Sequence, residues 1–256
     1  MSSPSATSFA FEPLYIVLGV GLGAWYLRVA GRARLPLHRR LAFLGGLVVV
    51  VCALNSPLES IAIHHLVSAH LIQNAMIADW APSLLIAGLT PDFRDAIAAR
   101  LGRPFRGLTS VPFALGFWLF AWYATHLPLF YEGALRHPAW LNLEHGVLIA
   151  AGIAFWWAVL ADRPSRASHG ARLGLVLVGS LLGGPLGFIF VLSPHPFYGY
   201  YTHRPPLWGL SPVADQHLGG IFMNAEQAVV MFVAAAYLFK RWIDEEAVSE
   251  AAAARR

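Results

Sequence analysis

Seven apolar segments divide this 256-residue chain, at residues 12–30, 41–56, 61–88, 110–127, 140–160, 173–192 and 217–239. Each is close to the roughly 20 residues that an α-helix needs to cross a bilayer. A backbone in lipid must satisfy its own hydrogen bonds, so a chain with this pattern is restricted to a helical bundle. The expected fold is all-α and integral to a membrane, with seven transmembrane helices. Hydrophobic residues make up 57% of the chain, charged residues 12%, and the mean hydropathy is +0.56, which leaves too little polar surface for a soluble globule.

The basic residues give that bundle a direction. Arg28, Arg32, Arg34, Arg39 and Arg40 flank the first connection, and Arg94, Arg100, Arg103 and Arg106 lie in the third. Arg163, Arg166 and Arg172 lie in the fifth, and Lys240, Arg241, Arg255 and Arg256 close the chain. Only Arg136 and Arg204 of the 18 basic residues fall in the alternate connections, so the positive-inside rule predicts an outer N-terminus and a cytoplasmic C-terminus. Charge spread over four short segments excludes a nucleic-acid-binding face and fits a protein in contact with membrane lipid.

The expected organisation is one transmembrane domain over 1–240 with a charged cytoplasmic tail, 241–256, whose end from Glu245 reads as a frayed helix. No repeat of 20–50 residues is present. The segment MSSPSATSFAFEP has no basic run before its apolar stretch, so the N-terminus reads as a first span and not a cleaved signal. The single cysteine, Cys52, excludes an intrachain disulfide and reads as a small packed residue. Trp25, Tyr26, Trp140, Trp156, Trp157 and the aromatic residues of 198–208 read as interfacial anchors.

Nine of the 11 histidines fall on the expected outer side. Ionisable residues inside a membrane are costly and mark function by default. In the third span His70, Gln73 and Asn74 recur at helical spacing, suited either to a metal or to an interhelical hydrogen-bond network. Asp79 lies deeper, beside Pro82. His126 ends the fourth span just before Pro128. Glu144 and His145 open the fifth; adjacent side chains diverge by about 100°, so Glu144 is expected to serve a neighbouring helix. The last span carries Asp215, Gln216 and His217 at its mouth, with Met223, Asn224, Glu226 and Gln227 deeper. Asp215 also suits a helix N-cap. Gly183, Gly184 and Gly187 around Pro185, and Gly219 with Gly220, suit close helix packing.

The series SPLES (56–60), SAHLIQ (68–73), APSLLIAGLTP (81–91), THLPLFYE (125–132), LEHGVLIAAGIAFWW (143–157) and LSPVADQHLGGIFM (210–223) resembles the CtaG-type assembly factors of caa3 cytochrome c oxidases. The resemblance implies a multi-pass protein of the bacterial plasma membrane, not an enzyme. It implies one that handles or delivers copper for the copper B site and has the catalytic subunit of a haem–copper oxidase as its partner. It carries the family's histidines onto His70, His126 and His145, and its acid–glutamine pair onto Asp215 and Gln216. His217 and Met223 complete the candidate ligands, since imidazole binds both copper states and a thioether favours Cu(I). Asn74, Glu144, Asp215, Gln216, Asn224 and Glu226 are expected to support them. Asn74 and Asn224 stand where the family pattern has a histidine and an aromatic residue, and an amide is a poor copper ligand.

Two other readings stay open from the residues. His70 and His145 at matching depth would suit a haem-binding membrane cytochrome. Asp79, Glu144 and Glu226 would suit the relay of a proton-coupled or metal transporter.

Overall fold

Proline and short polar residues start most of the helices. The computed structural model describes residues 5–161, 167–204 and 206–253, and every regular element among them is helical. Proline in the first helical turn, where its missing N–H costs nothing, opens α1 (Pro13–Arg32), α3 (Pro57–His64), α6 (Pro91–Leu108), α8 (Pro128–Arg136) and α9 (Pro138–Leu160). The Ser56 side chain caps α3, Thr90 caps α6 and Ser168 caps α10 (His169–Leu192), each by accepting a backbone N–H. The remaining elements are α2 (Leu37–Leu54), α4 (Val67–Ala75), α5 (Ala81–Gly88), α7 (Val111–Thr125), α11 (Gly199–Thr202) and α12 (Pro212–Ala253).

Five helices, α1, α2, α9, α10 and α12, are long and apolar enough to cross a membrane, and α6 with α7, bent by 69°, would make a sixth span. These are the helices of a multi-pass membrane protein. Large apolar side chains such as Phe232, Leu181 and Leu192 are exposed on their outward faces, as lipid contact requires.

The third apolar segment, 61–88, is divided. Ser56 and Pro57 start α3 as a separate short helix, and the chain turns at His65 before α4 begins. From there α4, a π-helical turn over Met76–Trp80 and α5 follow without a gap. The third connection, read as a loop, is the helix α6, broken at Gly102, where a φ of 72° lies in the left-handed region that glycine tolerates. The last helix runs on through Lys240 as far as Ala253, with His169 bonded to Glu245 at 2.6 Å. Arg163, Arg166, Arg255 and Arg256 lie outside the described residues.

α9 is the central helix, with 61% of its spanning window buried against 22% for peripheral α1. It packs on α5, α7, α8 and the π turn; α12 packs along α10 and α4. A side chain at Gly152 would place its Cβ 2.1 Å from the Ala78 carbonyl oxygen, so α9 and the π turn touch backbone to backbone. The apolar core has two large parts, beside a small cluster of Ala62, Leu66 and Ala69. One, towards α6, contains Tyr26, Phe43, Trp157 and Leu175; the other, towards the short helices α3, α8 and α11, contains Leu71, Trp122, Tyr131 and Met223.

Two expectations about side chains are corrected. Cys52 is exposed on the outward face of α2 and is not packed in the bundle. Tyr26, Trp156, Trp157, Tyr198 and Tyr201 are buried core residues and not interfacial anchors, because their faces of the helices turn inward; Trp25, Trp140 and Trp208 are exposed.

Candidate functional site

The polar side chains inside the bundle form two groups. The first lies towards α3, α8 and α11. His70 from α4 and Glu144 from α9 meet with His70 Nε2 3.2 Å from Glu144 Oε1, close enough for an ion pair but off the line that a hydrogen bond needs. Asn74, one turn after His70, donates to the same Oε1 at 3.0 Å. Glu144 therefore serves the neighbouring helix, as the angle between adjacent side chains requires. His145 turns towards the same space, its ring centre 6.3 Å from that of His70.

His126, immediately after α7, stands across Tyr131. The Tyr131 ring lies 4.6 Å from His70 and 6.1 Å from His126, and stacks on Tyr198 at 3.9 Å. The Tyr198 hydroxyl donates to the His126 carbonyl at 2.9 Å. His126 Nδ1 lies 2.5 Å from the Trp122 carbonyl oxygen. A carbonyl can only accept, so Nδ1 carries the proton and the neutral ring keeps its lone pair on Nε2.

Several polar atoms of this group have no hydrogen-bond partner. Both ring nitrogens of His70, Nε2 of His126, Nε2 of His145 and Oε2 of Glu144 are buried without a hydrogen-bond partner. Each such group costs about 1–3 kcal/mol when left unsatisfied. Among the described residues no three of histidine, cysteine, aspartate and glutamate stand in positions to hold a metal ion as they are. His70, His145 and Glu144 come together, and Tyr131 separates them from His126.

The other candidate residues have structural partners. Asp215 accepts from the backbone N–H groups of Val67 at 2.7 Å and Ser68 at 3.2 Å and from the Ser68 hydroxyl, so it caps α4, not its own helix. Ser211 caps α12 by accepting from Ala214 N–H. Gln216 accepts from Phe197 N–H and donates to the carbonyls of Phe190 and His195, which ties the segment after α10 to α12. His217 Nε2 donates to the Ser193 carbonyl at 2.9 Å. Met223 is buried in the apolar core beside this group. With its amide turned to satisfy both neighbours, Asn224 donates to Gly184 O at 2.8 Å and accepts from Phe188 N–H at 3.1 Å. Those two groups are one rung of the α10 hydrogen-bond ladder next to Pro185, and a neighbouring helix commonly satisfies such a rung.

The second group lies deeper, at the π turn. Trp156 donates to Asp79 at 3.2 Å and Trp80 donates to Glu226 at 2.7 Å. Each carboxylate keeps one oxygen without a partner. Glu226 therefore belongs with Asp79, apart from the histidines.

Sequence reasoning passed over Tyr131, Trp156 and Trp80 as site residues; Tyr131 lies inside the quoted THLPLFYE segment, where its neighbours drew the attention. It also passed over Glu59, which is buried and bonded to Gln73, while Gln73 donates to the Ala53 carbonyl at 2.9 Å. On the rim, Glu132 pairs with Arg136 at 2.7 Å and accepts from Tyr200 N–H. Partial burial acts to raise the Glu132 carboxyl, but these bonds outweigh it and hold the group below its ordinary value.

The family model of the cytochrome c oxidase caa3 assembly factor, Caa3_CtaG, matches residues 20–245. The chain belongs to this CtaG family. No curated protein and no solved structure matches it. Family membership makes it an oxidase assembly factor and speaks for a non-catalytic role. In this CtaG chain the histidine-end group, from His70 on α4 to His145 on α9, lies wholly within the matched residues.

Proposed function

We propose that this CtaG-family chain handles copper for the copper B site of a haem–copper oxidase, taking it on the outer side of the bacterial plasma membrane and passing it to the catalytic subunit. In this reading the α4, π-turn and α5 run is a span beside the others, giving seven crossings with the N-terminus outside. The basic residues support that direction.

One observation carries the copper reading. His70, His126 and His145 are buried with ring nitrogens that have no partner, around a carboxylate that serves His70. Imidazole binds Cu(I) and Cu(II), and a carboxylate beside a ligating histidine tunes its basicity. Copper is cargo here, so an incomplete ligand set suits release: Tyr131, between His70 and His126, is the side chain that would have to move for all three rings to meet.

The test is elemental analysis of the purified protein after exposure to reduced copper, beside the His70→Ala/His126→Ala/His145→Ala variant. The expected result is about one copper per chain in the wild type and none in the variant. A wild type that takes up no copper overturns the reading and leaves the histidines a packing role in a scaffold.

A further inference from the structure

The cleft between α2, α5 and α12 lies away from the histidines. Towards α6 it is a cavity of about 550 Å³ whose mouth carries His38 and Arg39 and whose walls include Leu84, Trp156, Val230 and Tyr237. Deeper in the bundle it continues into a second cavity of about 540 Å³ that shares Ser83, Leu84, Val229 and Val230 and ends at Phe222, Trp80 and Glu226. The two make one trough. From Tyr237 to Phe222 along α12 it runs about 22 Å at the helical rise of 1.5 Å per residue. That exceeds the roughly 15 Å of hydrocarbon in one leaflet.

The charge lies at one end. Arg39 donates to the carbonyls of Ala87 at 3.2 Å and Leu89 at 2.8 Å, and among the described residues it has no carboxylate partner. His38 is exposed beside it, and Arg94 lines the same mouth. Among the described residues no acidic side chain lines this end. Glu226 is at the far end, where a hydrocarbon terminus and not a headgroup would arrive.

We infer that this trough is a binding site for one anionic phospholipid, its phosphate at His38 and Arg39 and one acyl chain laid along Leu84, Val229 and Val230 towards Trp80. A free anion would use the mouth alone, and an uncharged lipid would use the trough alone; an anionic amphiphile matches both. Attraction of an anionic headgroup to the Arg39 guanidinium near a membrane surface is worth about fivefold in affinity.

The experiment is lipid titration of the detergent-purified protein followed by native mass spectrometry, with phosphatidylglycerol and phosphatidylcholine of equal chain length and with glycerol phosphate as the chainless competitor. Wild type should retain phosphatidylglycerol about fivefold better than phosphatidylcholine. Val230→Trp, which fills the trough, should weaken both lipids, and His38→Glu should abolish the preference. The His38 side chain is exposed, so that variant is expected to fold and keeps the test decisive if Val230→Trp does not. Equal retention of the two lipids, a preference unchanged in His38→Glu, or full competition by glycerol phosphate would each overturn the proposal.

Discussion

The two buried polar groups of the bundle are built from opposite chemistry. Around His70, three imidazoles gather near one carboxylate, with Asn74 the side chain that donates a hydrogen bond to that carboxylate. Around Asp79, two carboxylates are each met by an indole N–H, and the other oxygen of each has no partner. On the proposed copper reading, the first group is where the cation would sit. The second group holds carboxyl groups and indoles and no imidazole. Burial alone therefore does not distinguish the two groups; the kind of polar side chain does.

The strongest way to break this contrast is to exchange a carboxylate for its amide in each group. Glu144→Gln should weaken copper retention against a chelator by about 10- to 100-fold, the usual cost of removing a carboxylate that serves a ligating histidine. Glu226→Gln, with its indole partner kept, should leave retention unchanged. Equal losses in the two variants would remove the distinction between the groups.

The backbone contact that joins the groups comes next. Gly152→Ala forces a Cβ into the Ala78 carbonyl, and α9 carries both Glu144 and Trp156. Overpacking of this kind should cost about 1–3 kcal/mol in thermal or denaturant unfolding, and both sets of contacts should loosen together. Asp215→Asn tests the cap on α4, the helix that carries His70. Losing a charge-assisted cap should cost about 1–2 kcal/mol, read as a lower unfolding temperature, with copper affinity falling less than in Glu144→Gln.

Smaller effects sharpen the outline. Asn224→Ala removes the bridge over the Gly184 and Phe188 rung and should cost about 0.6–1.7 kcal/mol, the range for interhelical polar contacts in membranes. The smallest is at the rim. The Glu132 carboxyl is held below its ordinary value in the folded protein, so its contribution is present above the unfolded value and is lost as pH falls through the folded one. Arg136→Gln should remove about 0.3–0.5 kcal/mol at neutral pH and nothing at acid pH, measured as the difference between two unfolding curves.

Much of the helical layout was legible in the residues. Apolar runs, proline at the first turn and serine or threonine caps act within a few positions, so the ends of α1, α7, α9 and α10 fall close to the segment limits. The third segment was less legible, because α4 within it starts on a cap supplied by Asp215 from 148 positions away. His70, Glu144 and His145 were visible as polar residues in apolar surroundings, and the pairing of Glu144 with another helix followed from the helical angle. Tyr131 between two histidines was not visible, and Glu226 beside Asp79, apart from Met223 and Glu144, was only one of the open readings, since neither separation is local.

Sequence by itself determined that this chain lies in a membrane as helices, which residues start and stop most of them, and which family it resembles, because hydropathy, proline and capping are properties of short stretches. Only the tertiary structure decided which polar groups meet. Helices pack by the fit of whole faces, so the partner of a buried side chain depends on every other residue along both helices. That is why Glu144 faces His70 across the bundle while Asp215 caps a helix other than its own.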